Sequence, residues 1–356
     1  MNILHTESIK NKGGQQNKIM NEMRFMRELG HNVSLFAQAN SDIAKQAIDE
    51  NFNVIECEML DKNYFRITKK LLQNIKDSDI NLVIAHSSID GWAAAFTGLF
   101  LRKRGVKFYR ERHNSFIIKS FISKFMHAKM FDLVLTVSEA NMRYLSSIGI
   151  KKLFYLPSAI NTKSIPKTLS NLREEFNISN KFITVGMFSK LKQTKGVYEF
   201  AKALKIILEK HKNVIGIFGG SIDHTTKSKV LENFTQELQQ RIIFTGYRSD
   251  NANVIGGMDI FVFPSHTEGL PNVLLEAMIL RRPIVAFDIE PMNDLLKDER
   301  GICVHFKDEN ALANAIDTYI NNEPLCKKYG ENSFKYVSEN FDLNTLKENI
   351  KRLLND

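Results

Sequence analysis

Three cysteines in 356 residues, Cys57, Cys303 and Cys326, lie too far apart for a disulfide framework or a zinc site. No stretch reaches the roughly 18 uncharged apolar residues that a spanning helix needs. The opening Met1–Glu7 has no basic leader, long apolar run or small-residue cleavage site, so it reads as a first β-strand rather than a secretory signal. With the sparse cysteines, this predicts a cytoplasmic protein. No low-complexity tract or short-period repeat interrupts the chain. No His/Cys/Asp cluster has metal-ligand spacing, and no serine elbow or glycine-rich kinase loop is present. Asp77-Ser78-Asp79 closes a helix before a strand and reads as solvated charge. Nucleic-acid modules are absent, and the aromatic residues do not interleave with the basic ones as stacking platforms do. The expectation is therefore no metal, no cofactor and no nucleic acid.

What remains is a globular composition, 43% hydrophobic and 25% charged, long enough for two domains. Net charge is +9, and all of it falls in residues 1–165, with 24 Lys/Arg against 15 Asp/Glu. That half would suit an anionic partner, although a positive face also serves solubility alone. Short β-rich runs alternate with helical patterns throughout, which predicts parallel βαβ units. In the first half the runs are 2–6, 32–37, 52–56, 81–86, 107–110 and 133–137; in the second, 182–185, 214–218, 241–244, 260–263, 283–287 and 302–304. Ile19, Met23, Met26 and Leu29 mark one face of a helix from Gln15, which Gly30 ends. A polar stretch at 158–179 containing Pro166 separates the halves. The expected domains are 1–165 and 166–340, with a helix at 341–356 packing back toward the first. Both would be α/β with doubly wound parallel sheets, facing a cleft that holds the ligand.

The richest segment runs from Asp259 to Met278. A buried strand enters a tight loop, and the loop opens a helix at Pro271 and Asn272. Gly269 would permit an unusual backbone angle. Amides around Gly269, Leu270 and Asn272 would face an anion such as a diphosphate. Glu276, one turn in, suits a ribose diol, and Glu268 suits sugar hydroxyls.

This pattern, Glu268-Gly269-Leu270-Pro271 through Leu275-Glu276-Ala277-Met278 to Pro283-Ile284-Val285-Ala286, resembles the donor-site signature of the retaining glycosyltransferase family 4. The resemblance implies the GT-B fold, two Rossmann-like domains, with the acceptor on the first and a nucleotide diphosphate sugar on the second. It extends to Lys12-Gly13-Gly14-Gln15, where Gly13 and Gly14 let the backbone approach phosphate or acceptor. It extends also to Val185-Gly186 and Lys195-Gly196, where Lys195 neutralises phosphate. Met187 stands where the family usually has arginine, and Lys190 or Lys192 would supply that cation. His113, in Arg110-Glu111-Arg112-His113, matches a histidine that reaches the transferred sugar, and Tyr247 lies where the base binds. Leu156–Asn161 aligns with the family's hinge but lacks its glycine.

The function implied is metal-independent, retaining transfer of a sugar to a glycan or lipid-linked acceptor in surface polysaccharide assembly. Two alternatives stay open, a nucleotide-sugar epimerase of the same fold and a non-catalytic nucleotide-sugar binder. Residues 102–129 hold nine Lys/Arg against one acid, Glu111, and within them Ile118, Phe121, Ile122, Phe125 and Met126 form an apolar stripe. That stripe fits either a half-buried core helix or an anionic membrane surface, with the protein peripheral at the inner face of the cell membrane.

Overall fold

A computed structural model describes residues 1–160 and 172–355. Pro166 and Asn161 of the expected boundary and hinge lie outside the described residues. The chain divides into two compact units, Met1–Ala159 with Asn344–Asp356, and Ile160–Leu343.

The first unit holds seven strands: β1 (Asn2–Glu7), β2 (Asn32–Gln38), β3 (Asn53–Cys57), β4 (Leu82–Ala85), β5 (Lys107–Arg112), β6 (Leu133–Thr136) and β7 (Leu153–Tyr155). They form one sheet in the order β3-β2-β1-β4-β5-β6-β7, parallel throughout. The second unit holds β8 (Ile183–Phe188), β9 (Val214–Gly219), β10 (Ile242–Gly246), β11 (Ile260–Phe263), β12 (Ile284–Phe287) and β13 (Ile302–Val304). Its order is β10-β9-β8-β11-β12-β13, again parallel. Central strands such as Leu-Val-Ile-Ala of β4 and Ile-Phe-Val-Phe of β11 are buried on both faces, as covered parallel sheets require. This is the expected α/β class, and twelve of the thirteen strands fall on the expected runs. The three-residue β7, too short to show a period, was not expected.

Strand order reverses between β1 and β4 in one sheet and between β8 and β11 in the other. Diverging loops at such a point leave a crevice at the carboxyl ends of the strands. Both groups of candidate residues gather at these two points. In the first unit the helix Gly14–Glu28 covers the sheet with Ile19, Met23 and Met26 inward. Leu346, Ile350 and Leu353 of the helix Leu343–Asn355 are buried in the same cluster.

Candidate active site

In the second unit the loops after β8 and β11 meet. Lys195, in a 3-10 turn Gln193–Lys195, donates to Glu268 Oε1 at 2.5 Å. Ser265 Oγ donates to the same oxygen at 2.7 Å, and the His266 amide donates to the Thr194 carbonyl at 3.1 Å. Gly196 makes this approach feasible. Its φ is +73°, and a Cβ there would lie 1.9 Å from the Pro264 carbonyl oxygen.

The helix Asn272–Ile279 starts directly after the loop, with Pro271 at its N-cap. Its first amides lack intrahelical acceptors by geometry, so its N-terminus favours an anion. Glu276 sits one turn in. Burial pushes its carboxyl up to about 7, against a hydrogen bond from Asn251. Its Oε2 is buried and meets no hydrogen-bond partner among the described residues. A carboxylate kept dry and half satisfied is suited to accepting hydroxyls from a ligand. Tyr247 stands 81% exposed just past Gly246, whose φ is +69°, and so offers an open ring face.

Three expectations need correction. Gly269 is not among the residues of positive φ, so the unusual angle belongs to Gly196 instead. Gly186 lies inside β8, where a Cβ would meet the Met258 sulfur at 2.7 Å, so close packing of the turn before β11 accounts for it. Met187, also inside β8, points into the hydrophobic core and does not occupy a phosphate-facing position. Lys190, exposed just past the strand end, stands nearer the loop that carries Lys195.

In the first unit Gly13 caps the helix Gly14–Glu28 with an extended φ of −160°, which any residue adopts. The glycine pair there thus provides an unhindered loop rather than a strained one. His113 follows β5 and joins a buried polar network. His113 Nε2 lies 3.0 Å from His86 Nδ1, and His86 Nε2 lies 2.8 Å from His5 Nδ1. Glu111 Oε2 lies 3.1 Å from His86 Nδ1 and 3.7 Å from His113 Nε2. Lys18 bridges Glu22 and Glu111. Gln15 donates to Glu7 at 2.5 Å, and Asp90 accepts from Thr6 and Ser8, both at 2.8 Å.

Burial favours a neutral Glu111, but Lys18, His113 and His86 outweigh it and hold the carboxyl well below its usual range. Burial disfavours charge on His86 too, but hydrogen bonding to Glu111 and the charges of Glu111, Glu22 and Glu7 raise it. His113 is lowered by burial. Burial and the adjacent Glu111 push Glu22 up to about 7.

Of this network the sequence indicated His113 and the glycines. Lys18, Glu22 and His86 gave no signal. Glu111 read as the lone acid of a basic surface, yet it is fully buried, and so nearly are Arg110 and Arg112. The 102–129 stretch therefore presents fewer surface charges than its composition suggests. The apolar stripe also divides: Ile118 and Met126 are buried, whereas Phe121, Ile122 and Phe125 are 81%, 66% and 51% exposed.

Two family models match the chain, Glycosyltransferase Family 4 over residues 12–164 and Glycosyl transferases group 1 over residues 170–336. The capsular polysaccharide biosynthesis glycosyltransferase CapM of Staphylococcus aureus is 28% identical over 190 residues, 52% of this chain. The chain spans about half the length of that relative, 50%. An uncharacterized glycosyltransferase of Haemophilus influenzae is 24% identical over 98% of both chains. Among solved structures, Anabaena Alr3699/HepE in complex with UDP and glucose superposes with a TM-score of 0.84 at 19% identity, covering 100% of this chain and 99% of that one. That likeness shows the fold, GT-B.

Proposed function

The chain belongs to the family 4, group 1 glycosyltransferases, and from this premise we propose that it transfers a hexosyl group from a nucleoside diphosphate sugar to a glycan acceptor of surface polysaccharide assembly, with retention of configuration and without a metal ion. The observation that carries the reading is Glu276. Its buried oxygen, without a partner among the described residues, sits one turn inside a helix whose N-terminus suits a diphosphate, and that helix follows the loop that carries the Lys195–Glu268 pair. The HepE structure with UDP and glucose, and the capsule-building role in the name of CapM, support the donor class and the acceptor class.

In this reading Glu276 accepts the ribose hydroxyls and Tyr247 lies against the base. Lys195, Lys190 and the amides at Leu270 and Asn272 carry the diphosphate. The bond between the sugar carbon and the phosphate oxygen breaks, and its electron pair goes to the leaving diphosphate, which these groups stabilise. The acceptor hydroxyl attacks from the face the leaving group vacates, and its proton passes to the released phosphate. Glu268 and His113 orient the sugar.

The test is transfer from a panel of nucleotide sugars to a lipid-linked glycan fraction in EDTA, with the product's anomeric configuration read by NMR. Retained configuration is expected; an inverted product, or conversion of donor to an epimer without acceptor, contradicts the reading.

Exposed Phe121, Ile122 and Phe125 on one helix, with exposed Lys119 and half-buried Lys124, support docking on an anionic membrane. The protein would then work at the inner face of the cell membrane. It should sediment with anionic but not neutral vesicles, and Phe121→Ser with Ile122→Ser should abolish this. Negligible binding to both vesicle types would sink the idea.

A further inference from the structure

Besides Lys195 and Glu268, a second pair of side chains joins the same two loops of the second unit. His266 Nε2 lies 2.9 Å from Glu199 Oε1. An ionised carboxylate only accepts, so the histidine donates through Nε2. His266 stands two residues before Glu268, and Glu199 four residues after Lys195.

Glu199 lies in the first turn of the helix Val197–Lys210, where the helix N-terminus favours a carboxylate. An exposed carboxylate would serve that helix end equally well. This one is 9% exposed instead, and its Oε2 is buried with no partner among the described residues. Burying a carboxylate is costly, and what the burial achieves here is contact with His266. The imidazole is held on rings as well: Phe306 meets it edge-on at 5.3 Å, and Phe287 lies 6.4 Å away. Phe287 ends β12 and Phe306 follows β13. His266 therefore ties its loop both to the sheet and to the helix that follows Lys195.

The backbone alone joins the two loops by one bond, from the His266 amide to the Thr194 carbonyl, and by the approach of Gly196 to Pro264. One hydrogen bond leaves a hinge, and a second from the same residue removes it. We propose that His266 and Glu199 are positioning residues for the donor diphosphate, fixing the loop 264–268 against the Gln193–Lys195 turn so that Lys195 is held where the leaving phosphate needs it. A lysine ammonium on its flexible stem stabilises developing charge best when its place is set beforehand. The inference rests on the reading that Lys195 carries the diphosphate, and it adds the pair that sets its geometry.

The experiment is calorimetric titration of the full chain with the diphosphates of adenosine, cytidine, guanosine, thymidine and uridine, then with the free nucleoside matching the diphosphate that binds. Wild type is compared with His266→Phe, which keeps a ring against Phe287 and Phe306, with Glu199→Leu, and with Glu199→Gln, whose amide oxygen still accepts from Nε2. His266→Phe and Glu199→Leu should each weaken the diphosphate about tenfold, the scale of losing one hydrogen bond from a charged group. The nucleoside, held around Glu276 and Tyr247, should bind as in wild type, and Glu199→Gln should recover most of the diphosphate affinity. Circular dichroism checks each fold; should Glu199→Leu unfold, His266→Phe carries the comparison. Unchanged diphosphate affinity in His266→Phe, or an equal loss for the nucleoside, overturns the positioning role and leaves the donor site standing. A wild type that binds none of the five diphosphates overturns the donor reading and this inference with it.

Discussion

Glu276 shows how one side chain links stability to ligand chemistry. Its carboxyl titrates near 7 when folded, against an ordinary value of 4.5. Across that window the folded chain holds more protons than the unfolded one, so this group's contribution to stability is full below pH 4.5 and is lost as pH rises through 7. Glu276→Gln should therefore gain roughly 1–3 kcal/mol relative to wild type at pH 8, and little at pH 4. Denaturant unfolding at the two pH values measures it; an equal difference at both would contradict the buried setting. Gly196 is the other residue with a sharp expectation. At φ +73° and with a backbone oxygen 1.9 Å from any Cβ, Gly196→Ala should cost more than about 2 kcal/mol and displace Lys195 from Glu268. Unfolding and nucleotide titration of that variant would report both effects.

At this scale the sequence was only partly legible. Glu268, Glu276 and Lys195 could be found because loop and helix keep them close in sequence or flank a glycine. The network at His113 could not, because Lys18, His86 and Glu111 come from three distant segments and each alone resembles ordinary surface polarity. Met187 misled because position in a motif was read without strand direction. Alternation within β8 sends its side chain into the core, a fact visible only once the strand's end at Phe188 is known.

At the scale of elements, periodicity carried further. Parallel strands buried on both faces read as short apolar runs, and these located β1 to β6 and β8 to β13. The helix Phe121–Lys129 illustrates the limit. Its stripe fitted two settings, and tertiary packing divided it, burying Met126 and leaving Phe121, Ile122 and Phe125 exposed. The helix Leu343–Asn355 is the converse case, because its stripe Leu346, Ile350 and Leu353 is wholly buried, with Ile350 in the same cluster as Ile19 and Met23. Ile350→Ala should destabilise the first unit by about 2–5 kcal/mol. Thermal unfolding would show this as an earlier transition, while nucleotide binding at Glu276 should persist in the folded protein. An unchanged melting curve would mean that the helix contributes nothing to that core.

At the scale of the whole molecule, two α/β units each concentrate polar chemistry where their strand order reverses. The excess positive charge of residues 1–165 stays at the surface, because the buried network holds Glu7, Glu22, Asp90 and Glu111 against Lys18, Arg110 and Arg112. The central claim is that the second unit holds a nucleoside diphosphate through Glu276 without a metal. The most direct measurement is thermal unfolding with a panel of nucleoside diphosphates, with and without EDTA, on wild type and Glu276→Ala. A ligand at about 100 times its dissociation constant stabilises by roughly 2.7 kcal/mol, enough to raise the melting temperature by several degrees. The account predicts a rise with one nucleotide that EDTA leaves intact and Glu276→Ala abolishes. No rise with any nucleotide, or an equal rise in Glu276→Ala, would contradict it.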